Sequence, residues 1–230
     1  MAVMTVRRIA LFDLDNTLTD HTTAFALWAT EFSGATGVPV PWLVQAEERH
    51  DGARLRFFEE IKNVFGVRES LAALHAAYRQ RSAELVPHRP EVCAAVKALV
   101  EDGWGLGVVT NGAPDAQRTK LEVAQLDRYF GSVVISGEYG VRKPDPELFR
   151  VALDELEAHA GAGAAMVGDC LATDVEGGLR AGLHTVWVAG ERARLTSDPM
   201  PTRTVQTVVE AADWLRTAAL SPARAPALMV

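Results

Sequence analysis

The chain has 230 residues, of which 48% are hydrophobic and 23% are charged. This composition excludes an intrinsically disordered or fibrous chain and suits one packed domain, with or without an insertion. The formal net charge is −7, which disfavours a nucleic acid polymer as the partner, because phosphate backbones bind surfaces rich in lysine and arginine.

The compartment follows from the first residues and the cysteines. Too few apolar residues precede Asp13 for a signal peptide, and no apolar run approaches the roughly 20 residues of a membrane span. The two distant cysteines, Cys93 and Cys170, fit a reducing environment. We therefore expect a cytoplasmic protein without a membrane partner, while its oligomeric state stays open.

Short apolar runs predict strands that are buried on both faces of a parallel sheet. They are Ile9–Phe12, Leu106–Val109, Val133–Ile135, Ala165–Val167 and Thr185–Val188. Helical patterns lie between them, the clearest with Asp145 as a candidate N-cap and Pro146 as the first helical residue. The alternation predicts an α/β fold with a doubly wound, mostly parallel sheet, whose sites form at the carboxyl ends of the strands.

The segment from Thr22 to Leu85 interrupts this alternation with helical stripes only. The three stripes are Phe25, Trp28 and Phe32; Leu55, Phe58, Ile61 and Phe65; and Leu71, Leu74, Tyr78 and Leu85. They predict a small helical bundle, which ends before the helix-breaking Pro87 and Pro90. The predicted division is a core of residues 1–19 and 87–220, a helical cap of residues 20–86 and a loose tail of residues 221–230.

The segment Phe12-Asp-Leu-Asp-Asn-Thr-Leu18 carries the most chemical information. Asp13 and Asp15 stand two residues apart at a strand end, so their side chains are expected on the same side. Two ionised carboxylates this close repel each other unless a cation lies between them or one holds a proton. An EF-hand is excluded, because Leu18 and Ala24 occupy the places of its glycine and its glutamate. A Mg²⁺ site or acid/base chemistry remains.

Three further segments end predicted strands or begin predicted helices. Thr110 and Asn111 end a strand with groups able to donate hydrogen bonds to phosphate oxygens. Lys143 precedes a helix start, where an ammonium and a helix N-terminus face one anion. Asp169 follows a buried strand and is a candidate metal ligand, and Asp174 is either a further acid of that site or an acid favoured by a helix dipole.

In this order the four segments closely resemble the haloacid dehalogenase-like superfamily of phosphatases, from Leu11 to about Trp187. The resemblance implies a Rossmann-like core, the nucleophile Asp13 that forms an aspartyl-phosphate, and the general acid/base Asp15. It further implies phosphate binding by Thr110 and Lys143, with Asn111 beside them. Mg²⁺ would be held by Asp13, the backbone carbonyl of Asp15, and Asp169, with Asp174 as a supporting acid.

The expected function is a Mg²⁺-dependent phosphatase of a small phosphorylated metabolite. Asp15 speaks against the dehalogenases of the superfamily, which lack this second aspartate. A sugar-phosphate mutase of the same fold and a non-catalytic regulatory or binding member stay as alternatives. The sequences of the motifs are most similar to those of the branch that contains N-acylneuraminate-9-phosphatase and nucleoside-monophosphate phosphatases.

Substrate choice is expected to lie in the cap. Its basic cluster either contacts a second anionic group of the substrate or, as the neighbouring glutamates and aspartates favour, forms surface ion pairs. That cluster is Arg49, His50, Arg54 and Arg56. His21 either lines the pocket or is a solvated hinge residue. Lys62 is expected on a solvated helix face. Cys170 is expected to be a packing residue and not a nucleophile.

Overall fold

A six-stranded parallel sheet forms the centre of the molecule in the computed structural model, which describes residues 8–50, 53–157 and 163–220. Its strands are β1 (Ile9–Phe12), β2 (Gly105–Thr110), β3 (Ser132–Ile135), β4 (Ala164–Gly168), β5 (His184–Val188) and β6 (Arg203–Val205). They lie in the order β3-β2-β1-β4-β5-β6. The predicted α/β fold with a doubly wound parallel sheet is confirmed.

The helices that connect the strands cover both faces of this sheet. They are α1 (His21–Thr36), α2 (Val40–His50), α3 (Arg54–Phe65), α4 (Leu71–Glu84), α5 (Pro90–Glu101), α6 (Pro114–Val123), α7 (Ser136–Tyr139), α8 (Pro146–Glu155), α9 (Glu176–Arg180) and α10 (Val208–Thr217). A 3₁₀ turn covers Asp127–Tyr129, and a π-helical turn covers Leu171–Val175. As predicted, Asp145 caps α8, accepting a hydrogen bond from the Glu147 backbone, and Pro146 is its first residue.

Two hydrophobic layers explain why the strands read as continuous apolar runs. Ala10 and Phe12 point to the layer under α5 and α10, while Ile9 and Leu11 point to the layer under α8. All four side chains are fully buried, since successive residues of a strand face opposite sides of the sheet. Burial on both faces therefore removes the polar alternation of a half-exposed strand.

The strand order reverses beside β1. The chain runs from β1 to β2 and β3 on one side and then crosses to β4 and β5 on the other. Ligand sites in open α/β sheets lie at the carboxyl ends of the strands where this reversal occurs. Residues that directly follow β1, β2 and β4 therefore meet at one crevice. The sixth strand escaped prediction because Arg203 and Thr204 are exposed and only Val205 is buried.

Four helices, α1 to α4, occupy the described part of the segment between β1 and α5, and we call them the cap helices. Three had been predicted, and α2 was missed because it buries only Leu43 and Ala46. The cap helices bury a cluster of their own that includes Phe25, Trp28 and Tyr78. Aromatic rings meet edge to face within it, as Trp28 and Tyr78 do at 4.8 Å between ring centres.

The stripe predicted for α3 was partly wrong. Phe57 and Phe58 are fully buried together with Ile61, whereas Leu55 and Phe65 are 54% and 37% exposed. Leu55 lies in the first turn and lines a cavity, and Phe65 lies in the last turn against Trp42. The proposed boundaries at 19/20 and 86/87 stay a prediction, and the predicted tail of residues 221–230 lies outside the described residues. Among the described helices, none has the length and apolarity needed to cross a membrane.

Candidate active site

The two aspartates of the first motif end up beside different lysines. Asp13 follows β1, is 6% exposed, and donates its backbone N–H to the Val167 carbonyl of β4 at 2.8 Å. Its Oδ1 lies 2.5 Å from Lys143 Nζ, whereas both carboxylate oxygens of Asp15 lie 2.7 and 2.8 Å from Lys120 Nζ. Each of the two carboxylates thus has a lysine of its own as its nearest cation.

Lys143 lies between two carboxylates. Its Nζ donates to Asp13 Oδ1 and, at 2.7 Å, to Asp174 Oδ1, and its side chain is 2% exposed. Burial lowers the pKa of Lys143, but the two carboxylates outweigh burial and hold that pKa above its usual range. The ammonium is therefore a fixed positive charge next to the Asp13 carboxylate.

Asn111 fixes the backbone that carries this lysine. Its Oδ1 accepts from the Lys143 N–H at 2.9 Å, and its Nδ2 donates to the Lys143 carbonyl at 3.2 Å. Both the oxygen and the nitrogen of the side-chain amide thus position Lys143, and the predicted contact of Asn111 with phosphate stays a prediction. Thr110, 1% exposed at the end of β2, accepts a hydrogen bond from Gln117 Nε2 at 2.7 Å.

Three carboxylates form an acidic cluster at the ends of β1 and β4. Asp13, Asp169 and Asp174 each offer an oxygen, and these oxygens lie within 4.8 Å of one another. Burial raises the pKa of Asp13 to about 8, with Asp174 and Asp169 adding to the increase against the opposing Lys143. Burial and Asp174 likewise raise the pKa of Asp169 to about 6. A divalent cation would relieve this crowding of negative charge, and carboxylate oxygens are the ligands that Mg²⁺ prefers.

Asp169 and Asp174 are each held by neighbouring groups. Arg192 Nη1 donates to Asp169 Oδ2 at 3.2 Å, and Trp187 Nε1 donates to the Asp169 carbonyl at 2.9 Å. Asp174, 1% exposed within the π-helical turn, accepts at Oδ2 from the Cys170 N–H at 3.0 Å. Cys170 thus contributes a backbone donor. Asp174, predicted as a supporting acid, lies both in the carboxylate cluster and against Lys143, while the Asp15 carboxylate faces Lys120.

Sequence reasoning missed Gln117 and Lys120. These residues lie three apart on α6, so they share one helix face, and Gln117 Nε2 also lies 3.2 Å from Asp15 Oδ2. Burial raises the pKa of Asp15, but Lys120 and the neighbouring His21 outweigh it and hold that pKa below its usual range. Asp15 is therefore ionised in this state of the protein. One signal in the sequence could have indicated Gln117 and Lys120. A helix starts just after Thr110-Asn111-Gly112, and these two polar residues lie on one face of it.

A cavity of about 770 Å³ opens beside Asp15, between the core and the cap helices. Asn111, Gln117 and Lys120 line it from the core side, and His21 and Tyr78 line it from the cap side. His21 thus belongs to the pocket wall, which resolves its two interpretations. Burial lowers the pKa of His21 to about 4, although the Asp15 charge opposes this, so its ring is neutral at pH 7.

The predicted basic cluster of the cap divides into two parts. Arg49 and His50 pair with Glu60 at 2.8 and 2.5 Å, as the prediction of surface ion pairs requires. Arg54 and Arg56 line the cavity, so for these two the favoured interpretation was incomplete. Lys62 Nζ, expected in solvent, donates to backbone carbonyls that follow α3, including that of Val67 at 2.8 Å.

Comparison with known proteins agrees with this geometry. The family model described as haloacid dehalogenase-like hydrolase matches residues 8–182. A phosphoserine phosphatase of Thermus thermophilus is 37% identical over 180 residues, which cover 78% of this chain and 68% of that protein. An N-acylneuraminate-9-phosphatase of Mus musculus is 44% identical over 105 residues, which cover 45% of this chain and 42% of that protein. The chain thus matches less than half the length of the second relative.

Among solved structures, the putative HAD-hydrolase YfnB from Bacillus subtilis, bound to magnesium, superposes with a TM-score of 0.75 at 23% identity. The match covers 92% of this chain and 99% of that chain, and it supports the fold. Both relatives compared by sequence are phosphatases, the class of enzyme that the four motifs predicted. The chain belongs to the haloacid dehalogenase-like hydrolases, because that family model covers most of its length and the four ordered motifs surround one crevice of the sheet.

Proposed function

We propose that this protein is a Mg²⁺-dependent phosphatase that hydrolyses small phosphate monoesters through an aspartyl-phosphate on Asp13. The observation that carries the proposal is the arrangement around Asp13, where Lys143 Nζ lies 2.5 Å away and the carboxylates of Asp169 and Asp174 complete an acidic cluster. A nucleophilic carboxylate, a fixed cation and candidate metal ligands thus meet at the carboxyl ends of β1 and β4.

In the first step, Asp13 attacks the phosphorus atom and the bond from phosphorus to the ester oxygen breaks. Lys143 offsets part of the charge on the phosphoryl oxygens, which allows an anionic carboxylate to approach an anionic phosphate. Asp13 and Asp169, with the backbone carbonyl of Asp15, would hold Mg²⁺, and Asp174 would support them. When bound, Mg²⁺ supplies further positive charge to the phosphoryl oxygens and orients them.

Asp15 is proposed to move the proton in both steps. It gives a proton to the departing ester oxygen, and it later takes a proton from the water that attacks the aspartyl-phosphate and releases inorganic phosphate. In the substrate-free protein Asp15 is ionised beside Lys120. A dianionic phosphate nearby raises the pKa of such a carboxyl, so proton uptake by Asp15 is expected to accompany substrate binding.

The test is phosphate release from a broad panel of monoesters by the purified chain, with Mg²⁺ and with a chelator. We expect release that depends on Mg²⁺ and falls by about a thousandfold or more in Asp13→Asn. Asp154→Asn, an exposed aspartate of α8, is the matched control and should keep the activity. A chain that releases no phosphate from any member of the panel would contradict the proposal, and isomerised sugar phosphate without free phosphate would favour a mutase.

A further inference from the structure

The cavity beside Asp15 is lined by more basic than acidic side chains. The arginines and lysine on its wall are Arg54, Arg56, Arg79, Lys120 and Arg142, and Asp15 is the one carboxylate among its described lining residues. This excess of positive charge is local, because the chain as a whole carries a net charge of −7. Low-dielectric walls lined by one sign of charge attract ligands of the opposite sign.

The ion pairs of these residues do not remove the excess. Lys120 and Asp15 neutralise each other within the cavity. Arg54 pairs with Glu47, and Arg79 pairs with Asp115 at 3.0 Å, but neither of these two acids lines the cavity. The two arginines therefore line the cavity, whereas their acidic partners do not.

Arg54 is held in place before any ligand arrives. Its guanidinium donates two hydrogen bonds to Glu47, lies 4.8 Å from the Tyr78 ring centre, and approaches His21 Nε2 at 3.2 Å. A guanidinium stays charged near neutral pH, and fixing it in advance lowers the entropy cost of using it to bind a ligand. Arg54 thus supplies a fixed positive charge to the cap side of the cavity.

Two other arginines, Arg56 and Arg142, are available for direct contact. Arg56 comes from α3 in the cap and Arg142 from the loop before α8 in the core, and both are exposed cavity-lining residues. Within residues 8–50, 53–157 and 163–220, neither forms an ion pair. A guanidinium presents a planar pair of donors that matches a carboxylate or a phosphate.

From this arrangement we propose that the enzyme selects monoesters whose leaving group carries a second anionic group, a carboxylate or a phosphate, bound by Arg56 and Arg142. The inference rests on the proposed phosphatase function and names the substrate class of that same site. Arg54 and Arg79, each paired with an acid, line the same cavity.

Matched substrate pairs test the charge preference directly. 3-Phosphoglycerate and glycerol 3-phosphate differ only by a carboxylate in place of a hydroxymethyl group. Fructose 1,6-bisphosphate and fructose 6-phosphate differ only by a second phosphate. We expect kcat/KM to be about tenfold or more higher for the anionic member of at least one pair, and the pair that responds identifies the anion.

Variants connect that preference to the two arginines. In Arg56→Gln and Arg142→Gln, the ratio of kcat/KM within the responding pair should fall toward one, mainly through a higher KM for the anionic member. Arg68→Gln, an exposed cap residue outside the cavity, is the matched control and should keep the wild-type ratio.

Two results would overturn the inference: equal kcat/KM within both pairs, or a preference that survives in Arg56→Gln and Arg142→Gln alike. Hydrolysis of p-nitrophenyl phosphate, which lacks a second anion, separates this failure from failure of the proposed function. An enzyme that hydrolyses it with Mg²⁺ but shows no anion preference is a phosphatase of another substrate class.

Discussion

Lys120 Nζ lies 2.7 and 2.8 Å from the two carboxylate oxygens of Asp15, and the Lys120 side chain is 6% exposed. Removing one partner of such a pair leaves the other charge partly buried without compensation. We therefore expect Lys120→Met to lower the free energy of unfolding at pH 7 by about 2 kcal/mol, as measured by urea denaturation.

The pH dependence of this effect has a definite sign. A carboxyl whose pKa is lowered on folding contributes stability above its unfolded pKa of about 4, and the contribution is lost as the pH falls further. The difference between wild type and Lys120→Met should accordingly shrink below about pH 4. Lys97→Met, which breaks the exposed pair with Glu101, is the control and should change stability by less than about 0.5 kcal/mol. An equal effect of the two substitutions would contradict the assigned role of Lys120.

Metal binding should depend on pH through Asp13 and Asp169. Their pKa values in the metal-free folded protein, about 8 and about 6, exceed the ordinary value of about 4. Each therefore stabilises the fold at low pH, and this contribution is lost as the pH rises through the folded pKa. Because Mg²⁺ binds deprotonated carboxylates, it should raise Tm more at pH 8 than at pH 6.

Thermal unfolding with Mg²⁺ and with a chelator measures this difference. In Asp169→Asn the increase in Tm at pH 8 should largely disappear, whereas Asp154→Asn should retain it. A Tm that does not respond to Mg²⁺ at either pH would speak against the acidic cluster as a cation site.

Gly168 is required by the close approach of Asp174. A Cβ atom at position 168 would lie 2.3 Å from Asp174 Oδ2, so Gly168→Ala must displace that carboxylate from Lys143 and the Cys170 N–H. We expect a loss of about 2 kcal/mol in unfolding free energy and a large fall in kcat. Gly34→Ala in α1 is the matched control, since its Cβ meets nothing within 4 Å, and it should stabilise the protein by about 0.5 kcal/mol. Unchanged activity in Gly168→Ala would show that the position of Asp174 is unimportant.

Asn16 connects the first motif to the first cap helix. It has a φ of +60°, and its Oδ1 accepts from the backbone N–H and the hydroxyl of Thr22 at 3.0 and 3.1 Å. Asn16→Gly and Asn16→Ala both remove these bonds, but only alanine also adds strain at a positive φ. Asn16→Ala should be the less stable of the two by about 1 kcal/mol in urea denaturation. Equal stability of the two variants would mean that the turn relaxes to another conformation.

The sheet and the places of the motif residues were predictable because their physical causes are local. Strands buried on both faces read as apolar runs, and the residues after β1, β2 and β4 converge because parallel strands share one carboxyl edge. The partners of Asp15 were not predictable in the same way. Lys120 lies 105 positions after Asp15 in the sequence. A single lysine in a helix is usually a surface residue, so its burial cannot be predicted before the packing of α6 is known.

The role of Arg54 shows the same limit. Its charge and its neighbour Glu47 on the preceding helix were visible in the sequence, so a surface ion pair was the simplest interpretation. Which face of α3 meets the cavity depends on how Phe57 and Phe58 pack against the other cap helices. Pairing could be inferred from sequence spacing, but exposure to the cavity could not.

Helix α6 has one further consequence for how the enzyme works. Near its start, Asp115 contacts Arg79 of cap helix α4, and within its next two turns Gln117 and Lys120 hold Asp15. One helix of ten residues thus joins the cap to Asp15. Because one helix makes both contacts, we expect a displacement of α4 from α6 to change the surroundings of Asp15 as well.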